Sequence, residues 1–527
     1  MESTEIRQLS FGKSIAEYEA AYLGKYFIST QAYINAKSEE RRRTFYIGQR
    51  GAGKSALLNK LATEFASDGK SITINITPTH FSYELFVDRR HDYIDVRSVY
   101  AAVWHYTLVI HMFKRVLEFF NQKPYFKPNR ENVTLIKNYL MKEGILESDG
   151  ILDVFFRFLE KFSTNKVSSK LVNVADSQAE KDRYLLRLLK LSDLMQEINA
   201  LQKITDTHPI YIFIDELDTG WDNSKEAQNF LYGLFYAVRE VRKLHNVIVF
   251  VSLRSDMYNK LSSILPDAEK MRDDIERFSW NARTLRGVIA RRIITFWPND
   301  RLKNAPLDEA IAAVFEDEVL DYIILHSLQR PREIIQFCND CIDELRNLSL
   351  HSITPPKINQ EIVNAVEPQF SRARLDALCE EYKYQYPNLR VLLTCFENGP
   401  EFYYTENFIN KLEEAMLKTI EDVRALIESR AYEELEALKG YSSMEEIRTL
   451  KESKIFEETK NNLWLQAFLD TPKRLVELLF EIGFIKLYSQ KDKAYLAYYE
   501  TSFLNIDNIS QVKINDVFVS ALKCQVS

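Results

Sequence analysis

Residues Gly48-Gln49-Arg50-Gly51-Ala52-Gly53-Lys54-Ser55 constrain this chain more than any other stretch. They fit the spacing G-x-x-x-x-G-K-[ST], and their flanks fit it too. Thr44-Phe45-Tyr46-Ile47 reads as a short buried β-strand, and Ala56-Leu57-Leu58-Asn59-Lys60-Leu61-Ala62 as the opening of an amphipathic helix. Glycines at these positions let the backbone wrap closely, so successive N–H groups and the positive end of the helix converge on phosphate oxygens. The expected phosphate cradle is Gly48, Gln49, Arg50, Gly51, Ala52, Gly53, Lys54, Ser55 and Ala56. Lys54 would reach the β- and γ-phosphates, and the Ser55 hydroxyl would ligate Mg²⁺. A glycine-rich turn that only happens to contain Lys-Ser is the competing reading, and a partner motif elsewhere separates the two.

Pro209-Ile210-Tyr211-Ile212-Phe213-Ile214-Asp215-Glu216 supplies that partner. A continuous apolar run suits a strand buried on both faces of a parallel sheet. Its two carboxylates fall at the C-terminal end, the edge where open α/β sheets bind ligands. Asp215 is the expected Mg²⁺ carboxylate opposite Ser55, and Glu216 the residue that orients and activates an attacking water. Asn246-Val247-Ile248-Val249-Phe250-Val251-Ser252-Leu253-Arg254 repeats the design after a helical crossover from Lys225 to Leu244, giving a βαβ unit. Ser71 to Thr77 alternates and is β-branched, a further strand.

Three nearby side chains each carry two readings. Arg254 either contacts the γ-phosphate or pairs with a neighbouring carboxylate. Asp218 either supports the metal from behind its ligands or caps the following helix. Arg332, in Gln329-Arg330-Pro331-Arg332-Glu333, opens a helix after a proline; it either approaches the nucleotide phosphates across a lid or lies on the surface.

At 527 residues the chain is too long for one core, and about three domains are expected. Residues 10–43 read as helix, and Val96 to Asn121 as a long helix whose Trp104 and Tyr106 belong to the core. Residues 122–208 read as an all-helical insertion with a polar segment, Thr164 to Asp182, before the amphipathic run Arg183 to Leu189. Helical patterns follow over Leu285 to Ile294 and Leu307 to Leu348, and Thr354-Pro355-Pro356 marks a domain edge. Beyond it come a Glu-dense helical segment, Leu417 to Lys460, then helix Lys473–Glu481, strand Phe484–Tyr488, a turn, and strand Ala494–Tyr499. Helix followed by hairpin is the outline of a winged helix. Cys338-Asn339-Asp340-Cys341 places two thiols on one helix face with no second pair for a metal, so core packing is expected.

Gly48–Ser55, Ile210–Glu216, Val247–Arg254 and Arg330-Pro331-Arg332 together resemble the bacterial P-loop ATPases of the KAP/STAND kind, relatives of the initiator-type AAA+ ATPases. The resemblance spans about residues 10–365. It implies an α/β P-loop NTPase core over residues 1–300, with a parallel sheet and the helical insertion at about 122–208, and a helical lid over 301–365. A mainly α, winged-helix-like C-terminal domain would occupy 366–527. It further implies ATP and Mg²⁺ as cofactors, ATPase activity carried by Glu216, Lys54, Arg254 and Arg332, and nucleotide-dependent homo-oligomerisation with Arg332 as a sensor. Ser252 and Arg254 stand where many AAA+ proteins carry a polar Asn or Thr sensor, which favours the switch-like members. Arg272, Arg277, Arg291 and Arg292 are all candidates for an arginine acting on a neighbouring copy.

The expected function is a regulatory ATPase, an oligomeric switch in a prokaryotic antiviral defence or related conflict system. No nuclease, protease, TIR or deaminase motif is present, so the effector would be a separate protein. The alternative is a DNA-binding ATPase using the C-terminal wing in replication or recombination. Charge speaks against it: net charge is −7, and residues 366–527 carry 20 Lys and Arg against 27 Asp and Glu. No stretch approaches the roughly 18 apolar residues of a membrane span, and Met1-Glu2-Ser3-Thr4-Glu5 carries no signal pattern, so a cytoplasmic location is expected.

Overall fold

The computed structural model describes residues 2–77, 96–122, 130–145, 150–163, 191–219, 221–262, 268–350, 356–437, 464–469, 471–501 and 508–525. The chain divides into two compact units. One comprises Ala16–Gly24 and Ser29–Phe278; the other comprises Met1–Ile15, Lys25–Ile28 and Ser279–Ser527.

Where the sequence reads as one helix over 10–43, the chain instead makes short pieces. After α1 (Glu2–Gln8) come α2 (Ala20–Tyr26) and α3 (Gln31–Lys37). Gly12 turns the backbone at φ 73°, and Thr30 caps α3 by accepting the Tyr33 N–H. The apolar periodicity runs across both interruptions, which is why it reads as continuous.

The first unit is built on five parallel strands: β1 (Phe45–Gly48), β2 (Ile72–Ile76), β3 (Ile210–Ile214), β4 (Val247–Arg254) and β5 (Ile275–Arg277). Their order is β2-β3-β4-β1-β5. The chain leaves β1 for β2 at the far edge and later adds β5 on the opposite side of β1. Such a change of direction opens a crevice at the C-terminal ends of the strands. Connecting the strands are α4 (Lys54–Ser67), α5 (Val96–Gln122), α6 (Arg130–Lys142), α7 (Ile151–Ser163), α8 (Met195–Thr205), α9 (Lys225–Val241) and α10 (Ser255–Ser262).

Helices cover both faces of the sheet, so its strands are apolar on both. On one face Phe65 of α4 stacks on Tyr211 at 4.0 Å between centroids, and Phe213 on Phe250 at 5.1 Å. On the other, Phe45 stacks on Phe235 of α9 at 4.1 Å. Alternate residues of each strand serve the two faces, which produces the continuous runs seen in the sequence. Trp104 of α5 is fully buried, edge-on to Phe155 and Phe230 at 5.1 and 4.9 Å. Helices α6, α7 and α8 lie in the expected helical insertion; Thr164 to Asp182 and Arg183 to Leu189 fall outside the described residues.

His111 of α5 is held at a pKa of about 4 by burial, reinforced by Lys114 and opposed by a backbone hydrogen bond to Gly150. The folded-state value is depressed, so on acidification the unfolded chain takes up the proton first. Stability should therefore fall from pH 6.5 toward pH 4, by up to about 3 kcal/mol. His111→Gln should flatten this slope when denaturation midpoints are measured across that window.

The second unit has one hydrophobic core, running from Leu285 to Leu522 and taking in Ile6, Leu9 and Phe11. Its helices are α11 (Ala282–Phe296), α12 (Leu307–Ala312), α13 (Val319–Leu325), α14 (Pro331–Leu350) and α15 (Gln360–Glu381), followed by α16 (Leu389–Leu393), α17 (Thr405–Ala437) and α18 (Pro472–Glu481). Asn339 and Arg346 of α14 hold the N-terminal segment: Asn339 Oδ1 accepts from the Phe11 N–H at 2.9 Å, and Arg346 donates to the carbonyls of Arg7 and Leu9. The expected hairpin is present as β7 (Ile485–Ser489) and β8 (Ala494–Leu496) directly after α18. It belongs to a larger antiparallel sheet with β6 (Phe402–Tyr404) and β9 (Gln511–Ile514), in the order β6-β9-β7-β8. Neither β6 nor β9 was legible as a strand. Thr354 and Pro355 of the expected domain edge, and the second half of the Glu-dense segment, lie outside the described residues.

Candidate functional site

The octet Gly48–Ser55 bridges the end of β1 and the start of α4, at the C-terminal edge of the sheet. Gly48 packs against Phe278 so closely that a Cβ would sit 2.9 Å from the Phe278 Cβ. Gly51 and Gly53 adopt φ of 80° and 91°, the left-handed region that side chains resist, and Gly53 is the N-cap of α4. Lys54 is buried and folds back, its Nζ donating to the carbonyls of Gly48 and Gln49 at 2.9 Å each. Ser55 and Ala56 in the first turn of the 14-residue helix, like Gln49, are half-buried, and Arg50 is exposed. A helix N-terminus, a buried ammonium and a loop without bulky side chains at its turns converge on one place. That donor set fits an anion, and the glycine backbone fits one approaching closely.

Asp215 and Glu216 follow β3 at the same edge. In the parallel register Ile214 lies level with Val251, and Val251 with Phe45. One residue further on, Asp215 follows at the level of Ser252 of β4 and Tyr46 of β1, and Glu216 begins the loop beyond. Asp215 still joins the ladder through its N–H to the Ile76 carbonyl at 3.0 Å. Glu216 then leaves it at φ 58°, with its N–H donated to Asp215 Oδ1 at 2.9 Å. A non-glycine residue held there costs on the order of 1–3 kcal/mol and marks positions where the turn is fixed by its surroundings. Both carboxylates are half-buried, at the same edge of the sheet as the glycine loop.

Arg254 ends β4 directly opposite Gly48. Arg254 does pair with a neighbouring carboxylate, its Nε and Nη2 donating to Asp256 Oδ1 and Oδ2, both at 2.9 Å. Asp218 does not cap α9, because Ser224 does so by accepting the Ala227 N–H. Instead its Oδ2 lies 4.0 Å from Arg254 Nη1. Sequence reasoning missed Asp256, although an acid two residues after a strand-ending arginine is within reach of a two-point contact.

The remaining arginines separate by burial. Arg332 stands half-buried in the first turn of α14, in the second unit, and its sensor role rests on the resemblance alone. Arg330 beside it is buried, 3.6 Å from Glu333 and 3.4 Å from Glu381. Arg292 cannot serve a neighbouring copy: it is buried, donating to the Phe11 carbonyl and lying 4.1 Å over the Tyr26 ring. Arg272, Arg277 and Arg291 are exposed.

Near the C-terminal hairpin, Lys486 of β7 turns inward rather than to the surface. It is buried and paired with Asp516 at 2.5 Å, with Lys513 2.6 Å from the same carboxylate. Burial pushes the Asp516 carboxyl up, but Lys486 and Lys513 outweigh it and hold the group below its ordinary range. Lys473, Arg474, Lys491 and Lys493 remain exposed. Cys338 and Cys341 are fully buried in α14 with both thiols pushed up by burial, so they are core residues. Among the described residues no helix is long and apolar enough to cross a membrane.

Two comparisons bear on this arrangement. The profile of a FunZ-associated C-terminal helical domain matches residues 283–379, the stretch from α11 to α15 that contains Arg332. Over 399 residues the chain is 22% identical to the "Putative transposon gamma-delta 80.3 kDa protein" of Escherichia coli (strain K12). That alignment covers 74% of this chain and 54% of the other, so the chain spans about half the length of the curated relative it matches.

Proposed function

We propose that this chain is an ATPase that binds Mg²⁺-ATP at Gly48–Ala56 and acts as a regulatory switch. The observation that carries this reading is the convergence, on one sheet edge, of a glycine-turned helix N-terminus with buried Lys54 and the paired carboxylates Asp215 and Glu216. Bound Mg²⁺-ATP supplies the phosphoanhydride bond whose cleavage drives the switch. Lys54 would neutralise phosphate charge, Ser55 and Asp215 would hold the metal, and Glu216 would orient a water and accept its proton. Arg254, opposite Gly48 at the end of β4, would contact the terminal phosphate.

The chain would work as a homo-oligomer with a separate effector protein. A relative described as a transposon protein fits a setting of mobile elements and host conflict, including antiviral defence. The same description favours a second reading, a DNA-handling ATPase. Burial of Lys486 against Asp516 weighs against it, since it removes one phosphate contact from an already acidic C-terminal region.

Mass photometry with phosphate-release measurement separates these readings. The switch predicts Mg²⁺-dependent phosphate release and a larger assembly with ATP than without, unaltered by duplex DNA at physiological salt. Release that needs duplex DNA, with a salt-sensitive complex, would favour DNA handling. No release under any condition would overturn both.

A further inference from the structure

Arg254 is buried, with a side chain 5% exposed, yet three of its contacts lie at the sheet edge where the proposed phosphates would sit. Asp256, in the first turn of α10, engages it by a two-point fork of 2.9 Å bonds, which fixes the guanidinium plane as well as its position. The third nitrogen lies 4.0 Å from Asp218, two residues beyond Glu216 on the loop that leaves β3. The register sets the whole group opposite Gly48, the first residue of the cradle. A buried guanidinium stays where its carboxylates hold it, and an exposed surface pair would give no such constraint.

We propose that Asp256 is a positioning residue for nucleotide recognition: it clamps Arg254 in the orientation that reads the terminal phosphate, while Asp218 ties the same guanidinium to the loop carrying Glu216. This rests on the nucleotide reading above. A guanidinium already oriented loses little freedom on meeting phosphate, so the clamp strengthens ATP binding relative to ADP binding. Asp256 touches no phosphate itself, and its effect passes through Arg254.

Titration calorimetry of ATP and ADP, with Mg²⁺, on the full chain tests this. Asp256→Ala and Arg254→Ala should each lower the ATP-to-ADP affinity ratio by about tenfold, with ADP affinity within about twofold of wild type. Asp256→Ala should add nothing in the Arg254→Ala background. Asp256→Glu, which keeps the carboxylate, should restore part of the ratio. Asp256→Asn keeps the volume and serves in place of the alanine variant if that does not fold. A folded Asp256 variant with an unchanged or raised ratio overturns the proposal. So does equal loss of ATP and ADP affinity together with a lowered unfolding midpoint, the signature of a plain structural brace. Wild-type protein that binds neither nucleotide removes the nucleotide reading and the clamp with it; wild type that binds both, with Asp256 indifferent, removes only the clamp.

Discussion

Glu216→Gln is expected to bind ATP as tightly as wild type and to hydrolyse it at least about 100-fold more slowly. The amide keeps the size of the carboxylate and its place at φ 58°, so the Asp215 hydrogen bond to the Glu216 N–H has no reason to change. What it lacks is the capacity to take a proton from water. Phosphate release under saturating ATP, beside equilibrium binding of ATP, distinguishes the two effects. Hydrolysis equal to wild type would show that the water-orienting role belongs elsewhere.

Gly233→Ala is expected to have the largest effect on folding. Gly233 lies where α9 crosses α5, and a Cβ there would stand 2.5 Å from the Tyr100 carbonyl carbon and 2.8 Å from the Ala101 nitrogen. These are backbone atoms of a long buried helix, which cannot turn aside as a flexible side chain would. Overpacking of this kind costs about 3 kcal/mol or more, and the two helices must separate to admit the methyl. The thermal midpoint should fall by roughly 10 °C. Gly287→Ala is the control: its Cβ would meet only Ile28 Cδ1 at 3.7 Å, an ordinary contact, and removing a glycine from the interior of α11 should be neutral to mildly stabilising.

Much of the sheet was legible because its physics is local. Strands buried on both faces need unbroken apolar runs, and Ile210–Ile214 and Val247–Arg254 advertise themselves for that reason. The ends of α5 came out within a residue or two, since 27 consecutive helical residues leave a long periodic trace. The octet and the Asp-Glu pair were legible as well, because both depend on spacing within a few residues.

What was illegible depends on distant partners. β5 has three residues, none of them buried, and forms only because β1 offers it an edge. β6 joins β9 more than a hundred positions away. Arg292 and Lys486 are buried charges, and partners distant in sequence, among them the Phe11 carbonyl and Asp516, make that burial tolerable. Arg254 with Asp256 is the opposite case: the partner is two residues away, but only burial shows that the fork is held rather than solvated.

If Gly48–Ser55 is the nucleoside-triphosphate cradle proposed, Lys54 is indispensable to it. Calorimetric titration of Mg²⁺-ATP into wild type and Lys54→Ala tests it most directly. Lys54 Nζ donates to the Gly48 and Gln49 carbonyls of the loop itself, and the melting midpoint of Lys54→Ala is measured beside its binding. Wild type should bind saturably, near one ATP per chain, with no measurable binding to a Lys54→Ala protein that melts as wild type does. Equal binding to both, or none to wild type, would contradict it.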